Sequence, residues 1–530
     1  MESLDRFIED RPRMVFFLLL LIAIPAFFTN LGLLPLFADE PTRANVAMEM
    51  ILTKNYSVPT IGGEYYYNKP PLYNWILAGL YALTGSYSEF VTRLPAVVPM
   101  FLFAVTIFYA VAFFIRDKRV ALLSGLAFLV NGRMLLYDSM LGHIDIFYSW
   151  LTFISFMSIF YFFRKKQWFL LFFVSYLITA VTFLSKGLPS IVFQGMTIIA
   201  LLLYTRNFRR FFSWQHILSG IICLLIIGAY FFNYYHHNPD LKEYFHVIWD
   251  QSSQRTIARS GFIHSFGHLF TFPFEHLVHL LPVSLLVIFC LNKKFLKNVR
   301  EDEFIKYISV VFLANIWVYW LSPETRPRYL LMLYPLLFIV LSNGYYMFRE
   351  QYPRLNTIFN KVLLMLAVLV TLAVPSVFFI KFPQPVSFVM LKVLVLLAAC
   401  GFFTFLIYSL RQNKIVPFIA LLLMVRLAFS WFVLPSRLAK AEHMRTVSID
   451  MAEQSKGSPF FLYQYHPEVL SLPYHHKIIY YLQRTKKQQV RFTEEDTKQG
   501  YYLTFDRDLQ NPRAVLVKTY EDNLKLYRVQ

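Results

Sequence analysis

The sequence predicts an all-α polytopic membrane protein with about thirteen transmembrane helices, amphipathic helices on its outer face and a small C-terminal α/β domain. Three observations carry this. Of 530 residues, 57% are hydrophobic and only 16% charged, whereas a soluble domain is about one quarter charged. Apolar stretches long enough to cross a bilayer recur along most of the chain, since a spanning helix needs about 20 mostly apolar residues. The texture then changes after about residue 434, where apolar runs shorten and begin to alternate.

The predicted spans lie near 14–34, 94–115, 120–137, 145–163, 168–184, 188–204, 214–232, 274–290, 304–321, 328–346, 361–380, 386–410 and 415–434. Arg11 and Arg13 before the first run suggest a signal peptide, but no small-residue cleavage site follows, so this segment reads as a retained anchor. The net charge of +19 would suggest nucleic acid in a soluble protein. Here the basic residues fall in every second linker: Arg116, Lys118 and Arg119; Arg164, Lys165 and Lys166; Arg206, Arg209 and Arg210; Lys293, Lys294, Lys297 and Arg300; Arg349 and Arg354; Arg411 and Lys414. They read as topology signals and contacts to anionic lipid heads, which exclude nucleic acid as the expected partner. The positive-inside rule puts these linkers and the N-terminus in the cytoplasm. The long loops 35–93 and 233–273, and with an odd number of spans the tail, then face outward. The expected domains are 1–434, the membrane part with both loops, and 435–530, a periplasmic domain. Strands are predicted at 459–465, 477–482, 500–505, 514–520 and 524–529. Cys223, Cys290 and Cys400 sit in apolar stretches, which argues against disulfides or a cysteine metal site.

The loop 35–93 is the most informative stretch. It is too long for a simple connector and too aromatic for disorder. Val46, Met50 and Ile51 have helical spacing, which predicts an amphipathic helix along the membrane surface over about 41–53, and a second helix should follow Pro70-Pro71. Asp39 and Glu40 stand where the first span ends. A carboxylate there is ordinarily a solvated cap, yet beside this loop it can also serve as a base or bind a cation. In Asn68-Lys69-Pro70-Pro71 two fixed φ angles stiffen the backbone around a cation. An ammonium held near Asp39 would make a compact phosphate site beside an acid/base group.

Asp39-Glu40, Glu49-Met50, Val58-Pro59, Gly63, Tyr66-Tyr67-Asn68-Lys69-Pro70-Pro71-Leu72, Trp75, Gly85 and Arg93-Leu94-Pro95, in this order and spacing, resemble the first outer loop of bacterial glycosyltransferases related to 4-amino-4-deoxy-L-arabinose lipid A transferase and to protein O-mannosyltransferases. Lys186-Gly187-Leu188-Pro189 looks like that family's turn between two spans. The segment from Ser322 through Arg328-Tyr329 to Tyr334-Pro335 looks like its later outer-face element. The resemblance covers about residues 14–346 and hardly addresses the tail. It implies a GT-C fold and a sugar transferred from a polyprenyl-phosphate donor to a lipid A, glycan or other cell-envelope acceptor at the periplasmic face of the bacterial inner membrane. It implies Asp39 and Lys69 as catalytic residues, with Glu40, Arg43, Tyr66, Tyr67, Asn68, Lys186, Arg328 and Tyr329 at the substrate.

Two departures stand out. Asn68 replaces the family's Glu, and an amide is a poor ligand for a divalent cation. Thr42 replaces its Arg, with Arg43 one place later and about 100° around the helix. His264 and His268, spaced i, i+4, are the positions at which zinc is conceivable; Asn68 predicts weak or absent metal dependence, and histidines bonded to lipid heads and loop carbonyls are the favoured reading. His143 and Asp145, in the outer turn after Asp138, form a smaller polar group whose favoured role is helix capping, with substrate contact as the alternative. Two alternatives to the implied function are transfer to Ser or Thr of exported proteins and a lipid-linked sugar flippase. A flippase would need charged residues midway through several spans, where Arg426 is the clearest instance.

Overall fold

A computed structural model describes residues 2–253, 262–383, 385–463, 473–505, 507–521 and 523–530; the side chains of 252–265 and 464–474 are outside it. Each predicted apolar stretch forms a helix or part of one. Eight helices are long and apolar enough to cross a membrane among the described residues: Glu89–Phe114, Lys118–Leu136, Ile144–Arg164, Trp168–Lys186, Trp214–His237, Pro353–Phe379, Val389–Ser409 and Ile415–Ala441. Two bent pairs raise the number to ten if each is one span: Glu2–Asp10 with Pro12–Phe28, and Phe266–His279 with Val283–Cys290. The second pair was expected as one continuous span at 274–290. It bends by 115° where Pro282, which has no backbone N–H, interrupts the helix. The three remaining stretches are helices of 16, 18 and 15 residues, Pro189–Tyr204, Glu303–Trp320 and Tyr334–Phe348.

The basic linkers meet at one end of this bundle. Arg349 reaches Glu9 at 3.5 Å, Arg411 pairs with Glu2 at 2.7 Å, Arg164 with Glu303 at 3.3 Å, and Arg119 lies 5.4 Å above the Tyr346 ring. The loop 35–93 and the tail pack together elsewhere, around helix Glu40–Thr53.

That helix is not a surface helix with one wet side. Val46 and Met50 pack on the tail's core, Ala44 and Met48 on Tyr480 and Tyr481, and Ala47 on Leu77 and Tyr81 of helix Leu72–Thr84. Its apolar residues are therefore covered by protein on three sides. The hairpin β1 (Thr60–Ile61) and β2 (Glu64–Tyr65) follows it. The buried Glu49 carboxylate accepts from Gly62 N at 2.6 Å, Thr60 Oγ1 at 2.7 Å and the tail's Gln489 Nε2 at 2.9 Å.

The tail is a mixed α/β unit, as expected. β3 (Phe460–Tyr463), β4 (Arg491–Thr493), β5 (Gly500–Phe505), β6 (Ala514–Thr519) and β7 (Leu524–Val529) form one sheet in the order β4-β3-β5-β7-β6. β3 runs parallel to β4 and β5; β7 runs antiparallel to β5 and β6. The strand expected at 477–482 is instead part of helix Pro473–Lys486. Ile478 through Leu482 are all buried because Ile479 and Leu482 face the sheet core while Tyr480 and Tyr481 face helix Glu40–Thr53. A helix covered on both sides has the unbroken apolar run of a buried strand.

Candidate active site

Asp39 immediately precedes helix Glu40–Thr53 but makes no capping bond. Its Oδ2 instead accepts from Arg328 Nη2 at 2.5 Å, while 52% of the side chain stays exposed. Burial pushes its carboxyl up, but Arg328, His143 and Arg43 together hold it below the ordinary 3.8. Asp39 is thus an accessible carboxylate fixed by a cation. Glu40, expected at the substrate, is wholly buried and occupied. It accepts from Arg93 Nε at 2.8 Å and Nη2 at 3.1 Å, from Gly142 N at 2.7 Å and from Phe37 N at 2.7 Å. Its chemistry is that of a clamp between the loop and the 142–143 turn.

Arg328 lies in the short 3-10 turn Pro327–Leu330. Its Nη1 donates to the His143 imidazole at 3.2 Å, and its Nε stands 3.4 Å from Asp145 Oδ2, an ion contact without hydrogen-bond geometry. Burial and then the neighbouring guanidinium push His143 down to about 4, so the ring is uncharged at neutral pH and accepts that bond. Lys186 Nζ donates to Asp145 Oδ1 at 2.6 Å and lies 4.6 Å and 4.8 Å from the ring centres of Tyr148 and Tyr329. Asp145 is therefore no helix cap; the N-cap of Ile144–Arg164 is His143, without a side-chain bond. Asp145 is the shared counter-ion of two buried cations. Its sequence signal was an acid two residues after a histidine at a span end, where an ionisable group needs a partner.

Arg43 is buried above the Tyr66 ring at 5.5 Å, with its Nε unpartnered. The Tyr66 hydroxyl is also met by Asn68. Tyr67 accepts from Asn238 Nδ2 at 3.3 Å and packs on Tyr244, whose hydroxyl donates to the Lys69 carbonyl at 3.4 Å. Lys69 Nζ donates to Gln251 at 3.1 Å. The expected direct pairing of Asp39 with Lys69 is thus not formed; Arg328 holds Asp39. The Lys69 backbone runs near Lys186, since Pro70 Cδ lies 4.0 Å from where a Cβ on the adjacent Gly187 would stand. Gly187 has φ +85°, a conformation that favours glycine.

His268 Nδ1 donates to the Trp320 carbonyl at 3.0 Å; the side chain of His264 lies outside the described residues. Among the described residues no three His, Cys, Asp or Glu side chains gather to hold a metal. With Asn68 in the loop motif, the donors among the described residues do not fit a divalent cation. An open cleft of about 900 Å³ lined by Phe108, Tyr109, Phe113 and Tyr161 belongs to the basic end, beside Arg13 and Lys118, and has lipid-contact rather than catalytic chemistry.

Residues 68–231 match the family model described as dolichyl-phosphate-mannose-protein mannosyltransferase. No curated protein matches the chain in sequence. Among solved structures, ArnT from Cupriavidus metallidurans bound to undecaprenyl phosphate is 17% identical, with 97% of each chain covered and a TM-score of 0.69. The apo form of that protein gives 0.68 over the same shares at the same identity. The archaeal oligosaccharyltransferase AglB from Archaeoglobus fulgidus is 9% identical, with 93% of this chain and 69% of that one covered and a TM-score of 0.46. The resemblance read from the first loop thus holds: the chain has the GT-C fold of ArnT, and its residues 68–231 carry the pattern of the dolichyl-phosphate-mannose-protein mannosyltransferase family.

Proposed function

We propose that this multi-pass membrane protein is a glycosyltransferase that moves a sugar from a polyprenyl-phosphate donor, with inversion, to a lipid A, glycan or other cell-envelope acceptor at the periplasmic face of the inner membrane. The observation that carries the reading is the accessible Asp39 carboxylate held against buried Arg328, with Lys186 and Asp145 behind it. Arg328, Lys186 and Arg43 outnumber Asp39 and Asp145. The surplus positive charge suits the phosphate that leaves as the sugar C1–O bond breaks. The acceptor oxygen attacks C1 from the opposite side, which inverts the anomeric centre. Asp39, an anion at neutral pH, orients the acceptor hydroxyl by accepting its hydrogen bond and takes its proton only as the bond to C1 forms and the hydroxyl turns acidic. ArnT, the fold's well-matched relative, was solved with undecaprenyl phosphate, and the matched family is named for a dolichyl-phosphate sugar. That family name also supports a second reading, in which the acceptor is a Ser or Thr hydroxyl of an exported protein. A flippase is disfavoured because Asp145, Lys186 and Arg328 stand at the ends of their helices or in turns.

The test is transfer by the full chain in nanodiscs from undecaprenyl-phosphate-linked sugars to lipid A, with a Ser/Thr peptide as the competing acceptor. Asp39→Asn and Lys69→Ala should each lower the rate by about 10²–10⁴-fold, the usual worth of a positioned acid/base group or charge stabiliser. Wild-type turnover in both variants would end the assignment.

A further inference from the structure

We propose that the C-terminal domain supplies an acceptor-binding residue, His476, whose Nε2 contacts the acceptor headgroup beside Asp39. The inference rests on the glycosyltransferase reading and deepens it. Helix Pro473–Lys486 packs along helix Glu40–Thr53. Asn45 Nδ2 donates to the His476 carbonyl at 2.8 Å, and Gln483 Nε2 donates to Asn45 Oδ1 at 3.3 Å. These bonds set the helix register so that His476 stands opposite Thr42, one turn from Asp39. Its Nδ1 and Thr42 Oγ1 are 2.6 Å apart, which fixes the ring.

The other ring nitrogen remains available. His476 is 8% exposed, and Nε2 makes no hydrogen bond among the described residues. Burial, then His475 and Arg43, push the imidazole down to about 4, so it is neutral at physiological pH. Both tautomers are consistent with the Thr42 bond: one leaves Nε2 as an acceptor, the other as a donor. A neutral group of this kind gains little from a phosphate that Arg328, Lys186 and Arg43 would attract. It is suited to an uncharged hydroxyl of the second substrate. Asp39 and Thr42 are three residues apart, one helical turn, so the imidazole held by Thr42 lies on the Asp39 side of helix Glu40–Thr53. Thr42 stands where the resembling family has arginine, so this chain fills that position with a hydroxyl that holds a histidine from the other domain.

The experiment measures binding of lipid A and, separately, of undecaprenyl phosphate to the full chain in nanodiscs. Glutamine places an amide near the position of Nε2, asparagine near that of Nδ1. His476→Ala and His476→Asn should weaken lipid A binding about tenfold, the loss of one hydrogen bond. His476→Gln should stay near wild type, and undecaprenyl phosphate binding should change less than twofold in all three. Unchanged lipid A binding in His476→Ala overturns the proposal. So does recovery by asparagine as full as by glutamine, which would assign the histidine to holding Thr42 alone, and so does a wild-type protein that ignores lipid A. Failure of the underlying function appears elsewhere, as undiminished sugar transfer in Asp39→Asn.

Discussion

Substituting Asp145→Asn removes a negative charge from between two buried cations. The carboxylate lies 2.6 Å from Lys186 Nζ and 3.4 Å from Arg328 Nε, and the Asp145 and Lys186 side chains are only 5% and 6% exposed. At an effective dielectric constant of about 20 the gross attractions are about 6 and about 5 kcal/mol. Hydration of the same groups in the unfolded chain offsets much of this, and removal of one partner from a buried ion pair has a net cost of about 3–5 kcal/mol. Lys186→Met should cost less, because Asp145 then still faces Arg328. Denaturant unfolding followed by tryptophan fluorescence, in nanodiscs with and without undecaprenyl phosphate, measures both. The ligand should stabilise Asp145→Asn more than wild type, since its phosphate returns an anion to Arg328. A loss under about 1 kcal/mol in Asp145→Asn, or a larger loss in Lys186→Met, would refute the shared counter-ion.

Three other outcomes follow from the same structure. Asp39 titrates below its ordinary 3.8 when folded, so its pairing stabilises the fold above that pH and is lost as pH falls through the folded value; transfer should show no acid limb from Asp39 above 3.8, and a pH–rate profile with one near neutrality would contradict the assignment. Arg426 is fully buried, with Nε and Nη1 unpartnered and its guanidinium 5.2 Å from the Phe27 ring and 5.4 Å from that of Phe429; Arg426→Met should leave stability unchanged or raise it by about 1–4 kcal/mol, and a measured loss would count against a merely tolerated charge. Glu89 accepts from Arg484 at 2.8 Å, Tyr481 at 3.1 Å and Arg445 at 3.4 Å, so Glu89→Gln should weaken tail docking by about 1.5–3 kcal/mol, seen as faster limited proteolysis of the tail with the helix bundle intact.

The sequence was most legible where one physical demand acts on a whole segment. Every apolar stretch of spanning length proved helical, because a backbone in lipid must satisfy its own hydrogen bonds. The charged linkers gather at one end as their alternation required. Legibility fell where protein replaces lipid or water as the neighbour. Helix Glu40–Thr53 reads as a surface helix until the tail covers it, and helix Pro473–Lys486 reads as a strand because both its sides are buried. In the site, Asp39, Arg328, Lys186 and Tyr329 were singled out and do come together around Asp145. Asp145 and His143 looked like caps, and His476 carried no local signal at all. Glu40 was assigned to substrate, yet its oxygens are taken by Arg93 and two backbone N–H groups.

The amino-acid order alone determined the apolar helical architecture, the position of the loop that carries the candidate site and the charged residue types found there, since those follow from hydropathy, charge and short-range spacing. Which cation faces Asp39, which acid balances Lys186 and which part of the tail leans over the loop were decided only by folding. Arg328 is 289 positions from Asp39, and Thr42 is 434 from His476. Electrostatic and hydrogen-bond partnerships act over a few ångströms of space, and one-dimensional spacing carries no record of which distant segments packing brings that close.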